Sequence, residues 1–203
     1  TSNPCAAWRT GLWAALAVGL VAGAGCQRPG AALRVQPVDP PLLVPYELEL
    51  SECVFQRTAH RDLNIVGYGR SVSRATGGRE VYLHAHVFWR PHPGVSFADP
   101  SGTNALLRYV VVHDDLVVAY EGSGFVYVPR QKRPRPGQAV AARVERALLR
   151  RVTTPAAPPD PEGWEYPTLL ELTATLPAGD DGPRALRLRR EIDLHVATVT
   201  GVP

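Results

Sequence analysis

His84-Ala-His86, followed by His92, is the pattern in this chain best suited to chemistry. Residues two apart on a strand project from one face, so both imidazoles of His84 and His86 reach a common ion. Zinc and copper accept such a pair with one or two further ligands. His92 follows closely, and His113 or Glu121 completes the set if the sheet brings either near. The bland alternative is a wet, aromatic sheet face, because Tyr82 and Phe88 flank the pair on the same side. The balance is an expectation of no resident cofactor, with His84, His86 and His92 kept as candidate metal ligands.

Other clusters carry less. Residues 130–151 hold eight Lys/Arg against one acid, Glu145, a patch suited to anionic head groups or envelope polymers. The alternative is a solvated loop and the outer face of a helix. Trp164-Glu-Tyr166 is either an aromatic platform for a sugar or a loop tucked against the domain. Asp114-Asp115 and Asp180-Asp181 both fall in turns, where Asp bonds its own backbone, and neighbours on a strand point oppositely. The chain has no Gly-x-Ser-x-Gly, His-Glu-x-x-His, Cys-x-x-Cys or phosphate-binding glycine loop. The expectation is a protein that is not an enzyme.

The elements that must position these residues are strands. Tyr46, Leu48, Leu50 and Val54 alternate with Glu47, Glu49 and Ser51, the period of a half-buried antiparallel strand. Leu63–Val72 is weaker, and Ala75–Gly78 is a turn signal. Val81–Arg90 alternates clearly, Ala105–His113 is apolar on both faces, and Leu116–Glu121 returns. Gly122-Ser-Gly124 is expected to turn the chain into Phe125–Val128. In Ala139–Arg151, Val140, Val144 and Leu148 recur at helical spacing, which predicts one short helix. Leu169–Leu176 and Ala185–Thr200 are expected to form a closing hairpin around Pro177–Pro183. Its second arm places Leu186, Leu188, Ile192, Leu194 and Val196 on one face. Seven to eight short strands with turns between them predict an all-β fold, an antiparallel β-sandwich, with a small barrel as the alternative.

The amino terminus supplies an address. Leu12–Gly25 is an unbroken run of apolar and small residues after Arg9. A bilayer-spanning helix needs about 20 apolar residues, so the run is short for a span and has the layout of a secretory signal. Ala24-Gly25-Cys26 resembles the lipobox of bacterial lipoproteins, with Gly23 standing where Leu or Val is usual. The resemblance implies cleavage before Cys26 and lipidation of that cysteine. Several acyl chains would hold the protein on a membrane, since stable anchoring takes more than one.

Residues 1–25 are therefore expected to be a signal peptide forming a helix. Residues 26–45, with Pro29, Pro37, Pro40, Pro41 and Pro45, are expected to be a lipidated tether, and residues 46–203 the β-domain. Without the first 25 residues, 203 − 25 = 178 remain, enough for one domain with a sizeable core. Cys53 is then the one thiol left, and a lone cysteine closes no internal disulfide. A net charge of +3 is too small to argue for nucleic acid. The implied protein is a cell-envelope lipoprotein facing the periplasm or the exterior. Its domain binds an envelope protein or polymer, or, on the runner-up reading, zinc or copper through His84 and His86.

Overall fold

In the computed structural model, the described residues are 30–39, 44–58, 62–73, 77–88, 103–113, 116–129, 138–152 and 166–201. They form nine strands followed by one helix. In chain order these are β1 (Ala31–Asp39), β2 (Tyr46–Leu50), β3 (Glu52–Arg57), β4 (Leu63–Ser73), β5 (Gly77–Val87), β6 (Ala105–His113), β7 (Leu116–Tyr127), β8 (Val140–Arg151), β9 (Leu169–Asp180) and α1 (Gly182–Thr200). The fold is all-β, as its alternation predicts. Consecutive strands pair antiparallel from β3 to β9, and β1 pairs with both β2 and β9.

Because β9 lies between β8 and β1, the sheet closes on itself. β2 and β3 are one strand broken at Ser51, which leaves β1 as its partner and takes up β4. A short parallel bridge from Val54 and Phe55 to Gly179 and Asp180 seals that corner. The arrangement is a single closed, up-and-down sheet, the barrel alternative, in place of two separate sheets. Ala31–Asp39, within the stretch expected to be a tether, is extended but is built into this wall. Leu33 and Val35 are buried while Arg34 and Gln36 face out.

One corner depends on two glycines. A Cβ on Gly122 would overlap the Leu148 carbonyl, and one on Gly124 would come within 2.5 Å of the Arg146 carbonyl oxygen. The bare backbone lets β7 pass under β8, so Gly122-Ser-Gly124 runs on as strand instead of turning. Opposite Phe125 and Val126, β8 carries a bulge at Glu145. On the other edge of β7, just past the end of β6, buried Asn104 takes the place of a ladder partner: its Oδ1 accepts from Val126 N at 2.7 Å and its Nδ2 donates to the Val126 carbonyl at 2.9 Å.

Helix and strand exchange places relative to expectation in the last third of the chain. Residues 140–151 are β8, not a helix. Val140, Ala142 and Val144 face inward, a bulge between Val144 and Ala147 resets the phase, and Ala147 and Leu149 then face inward. The bulge makes a period-two pattern look like i, i+4, i+8, and it leaves Leu148 outside, 46% exposed. Residues 182–200 are α1, not a strand. Asp181 caps it by accepting from Arg184 N, proline occupies the first turn, and Gly201 ends it in the left-handed conformation at φ 67°. Its buried stripe is Ala185, Leu188 and Ile192, at i, i+3 and i+7.

Burial follows two layers. Inside the sheet, Leu33, Phe55, Leu83, Leu107, Leu149 and Leu172 belong to one continuous core. Outside it, Val54, Val66, Tyr82, Val110 and Ala119 pack beneath Ala185, Leu188 and Ile192 of α1. Both faces of β4 to β7 are thus covered, which explains why Ala105–His113 is apolar on both sides.

Candidate functional site

His84 and His86 sit on the outer face of β5, opposite the inward Val81, Leu83, Ala85 and Val87. His84 is 8% exposed, and its Nε2 donates to Asn64 Oδ1 at 2.9 Å. Burial pushes its pKa down to about 3, helped by the positive charges of Arg108 and Arg189 and by His86. His86 Nε2 faces Asp62 Oδ2 at 3.2 Å, with Phe88 edge-on to its ring at 6.4 Å. Each imidazole is thus tied to its own partner. His113 is on the inner face, across the sheet from the pair. Glu121 is kept from His84 by Arg108, which lies between them in register and pairs with Glu121 at 2.7 Å and Asp193 at 2.6 Å. Among the described residues no three His, Cys, Asp or Glu side chains are grouped to hold a metal. His92 lies outside the described residues, as do the signal-like run and Cys26.

The remaining candidates disperse. Asp180 ends β9 and Asp181 caps α1, so they share no chemistry. Asp114, Asp115, Trp164 and residues 130–137 lie outside the described residues. On β8, Arg143 pairs with Glu145 at 3.3 Å and Arg146 with Glu171 at 3.0 Å, which breaks the positive face. Cys53 is free and packs against the inner core. Burial, then the Glu52 charge, pushes its thiol up to about 12, so it is no nucleophile at neutral pH.

A cluster not expected from sequence lies inside one end of the barrel. The β1–β2, β4–β5, β6–β7 and β8–β9 connections all fall at this end. Here the inward parity of each strand carries on past its apolar residues into polar ones. Val81 gives way to Arg79, Val111 to His113, Leu149 to Arg151 and Leu48 to Tyr46, and Tyr120 of β7 stands opposite Arg151. Tyr109 and Tyr120 form a buried floor, ring centroids 5.9 Å apart. Tyr46 Oη lies 3.3 Å from Tyr109 Oη. Arg79 has Nε and Nη2 buried. Arg151 donates from Nη1 to the Tyr166 carbonyl oxygen at 2.9 Å.

The phenols share one electrostatic environment. Burial raises the pKa of Tyr46, while its Tyr109 hydrogen bond and the Arg79 charge oppose the rise. Burial raises Tyr120 also, with Tyr46 adding to the shift and Arg151 opposing it. Tyr109 is held well above the ordinary value by burial and by Tyr46. All three stay protonated at neutral pH and remain able to donate. The signal for this cluster was present in the sequence as strand ends whose inner parity turns polar. Finding it required knowing which face is inner and which strand ends the closed sheet brings together.

The fold and this cluster define an all-β protein: a closed antiparallel barrel, flanked by a carboxy-terminal helix, with a polar mouth at one end. No family model matches the chain, and neither a curated protein nor a solved structure does.

Proposed function

We propose that this chain is an exported, lipid-anchored protein of the bacterial cell envelope, and that its barrel is a binding module with no catalytic activity of its own. The address rests on Leu12–Cys26 and its lipobox-like Ala24-Gly25-Cys26. The binding role rests on one observation: Tyr46, Arg79, Tyr120 and Arg151 converge inside one end of an otherwise apolar barrel. Pockets with a few convergent polar groups occur in the mouths of β-barrels. Its partner on this reading is an envelope protein or polymer component met outside the cytoplasm.

Geometry gives this reading an orientation. Only four residues, Gln27–Gly30, separate the lipidated cysteine from the first residue of β1, a reach of five Cα-to-Cα steps. At most about 3.6 Å per step, these span roughly 18 Å, so the barrel would sit close to the membrane. Ala31 lies at the end opposite the polar mouth, since Asp39 and Leu169 mark the mouth end of the same ladder. The mouth therefore faces away from the bilayer. The β7–β8 connection, whose sequence carries Arg130, Lys132, Arg133 and Arg135, joins its strands at the anchored end, where anionic head groups would lie.

Cys26→Ser expressed in a bacterial host tests the anchor. The expected result is loss of acylation and release from the membrane fraction. Unchanged membrane partition of the variant would point to an uncleaved or peripheral attachment and overturn the lipoprotein reading.

A further inference from the structure

Among the described residues, four large apolar side chains on one stretch of the outer wall face water: Phe88, Leu106, Tyr127 and Leu148, 46–55% exposed. Leu106 and Leu148 stand two ladder steps apart, about 10 Å, with Ser123 of β7 between them in register. His86 and Glu171 flank the same row, so no charged side chain projects between the two leucines. Tyr127 lies further along the outer face of β7. Phe88 ends the outer face of β5, its N–H donating to the Asn104 carbonyl at 3.1 Å, beside Leu106. α1 covers Val110 and Ala119 on these strands, and its border is Asp193 on Arg108, which also holds Glu121. Leu106 and Ser123 each lie one outward position beyond that border, toward the end where β5 and β7 finish and β6 and β8 begin. Ala31 starts β1 at this same end. With β2 and β3 counted as one strand, β6 is four strands from β1 in either direction around the closed sheet. The short tether and the apolar patch are therefore on opposite walls of one end, two supports that a flat surface meets together.

We propose that Phe88, Leu106, Tyr127 and Leu148 form a second membrane contact, seated in the head-group boundary of the bilayer that holds the Cys26 anchor. The inference rests on the lipoprotein reading and adds a lipid-binding surface to it. Phenylalanine, tyrosine and leucine are side chains that settle at this depth, where apolar area leaves water and a phenol keeps its hydration. Lipid is favoured over a protein partner because the tether, at most roughly 18 Å long, holds this end against the bilayer. Lipid is then met at a high effective concentration, as a second linked site is. The consequence is orientation. A tether alone lets the barrel swing, whereas two supports on opposite walls hold it end-on with the polar mouth outward.

The test uses the acylated protein as a bacterial host exports it, in mixed phosphatidylethanolamine–phosphatidylglycerol vesicles. A nitroxide is placed on Leu106→Cys or, as control, on Thr198→Cys on the exposed face of α1, both in a Cys53→Ala background. Mass spectrometry first reports the acyl chains. Dissolved oxygen concentrates in lipid and a nickel chelate stays in water, so their effects on the relaxation of the label report its depth. The expected result is a label at 106 that meets oxygen and excludes nickel, while the label at 198 stays open to nickel. Tyr127→Asp combined with Leu148→Asp should restore nickel access at 106 with acylation intact. Equal nickel access at 106 and 198 in acylated, vesicle-bound protein overturns the second contact and leaves the anchor standing. Exclusion of both oxygen and nickel at 106 marks a patch covered by protein and overturns it as well. Absence of acyl chains overturns the lipoprotein reading itself.

Discussion

Leu188 and Leu194 lie six residues apart on α1 and face opposite environments, 1% and 67% exposed. Leu188 packs with Ala185 and Ile192 over Val54, Val66, Tyr82, Val110 and Ala119 of the outer wall. Leu188→Ala removes three buried carbons, about 2.4 kcal/mol at 0.8 kcal/mol per group transferred. The vacated space adds a cavity cost, because the strands below are fixed by their ladders and cannot close in. The expected total is about 2–5 kcal/mol. Leu194→Ala removes the same atoms from water-exposed surface and should cost within about 0.5 kcal/mol. Urea denaturation, fitted with a common slope of about 2 kcal/mol/M, then shows a midpoint shift of roughly 1–2.5 M for Leu188→Ala and almost none for Leu194→Ala. A strand over these residues with its even positions inward would make the two losses equal. Equal losses, or a larger loss at Leu194, would refute the helix and the outer apolar layer together.

Acid should destabilise the protein through His84. Its folded pKa is pushed down to about 3, so the folded state stays neutral while the unfolded state takes a proton below about 6.5. Stability is therefore undiminished above that pH and falls, by up to about 1.4 kcal/mol per unit, as pH drops from about 6.5 towards 3. Denaturation between pH 7 and 4 should show a shallower slope in His84→Gln than in the parent, and an unchanged slope would remove His84 as the cause. Gly122→Ala should cost about 1–3 kcal/mol or more, since the added methyl meets the Leu148 carbonyl and the Leu149 Cα, which are backbone. Gly30→Ala, with no atom within 4 Å, is the control. Comparable melting temperatures for the two would show that the β7 corner tolerates a side chain.

Alternation made β2, β5 and most of β9 legible, because period two survives in the sequence; β6 was legible as a short run apolar on both faces, and β7 only as two pieces. It misled where a pattern had two readings. Val140 and Val144 fit a helix and a strand equally, and a bulge moved the next inward position to Ala147. Leu188 and Ile192 likewise fit both periods. Arbitration came from signals at the ends: Asp181 and Pro183 before the run and Gly201 after it are start and stop marks of a helix. Gly122 and Gly124 carry the usual mark of a turn, and only the closeness of β8 explains why they lie inside a strand. The histidine pair was legible as a same-face pair, and its separate ties to Asn64 and Asp62 were not, because those partners come from β4.

By itself the sequence determined the all-β class, since period-two alternation is a local consequence of how a strand shows its two sides. It also carries the resemblance at Ala24-Gly25-Cys26, which is a linear signal and needs no fold. Closure of the sheet through β8 and β9 was decided only in three dimensions, because ladder partners are chosen by packing between segments far apart in the chain. That closure defines the inside and brings Arg79, Arg151, Tyr46 and Tyr120, scattered over four strands in the sequence, together at one end of the barrel.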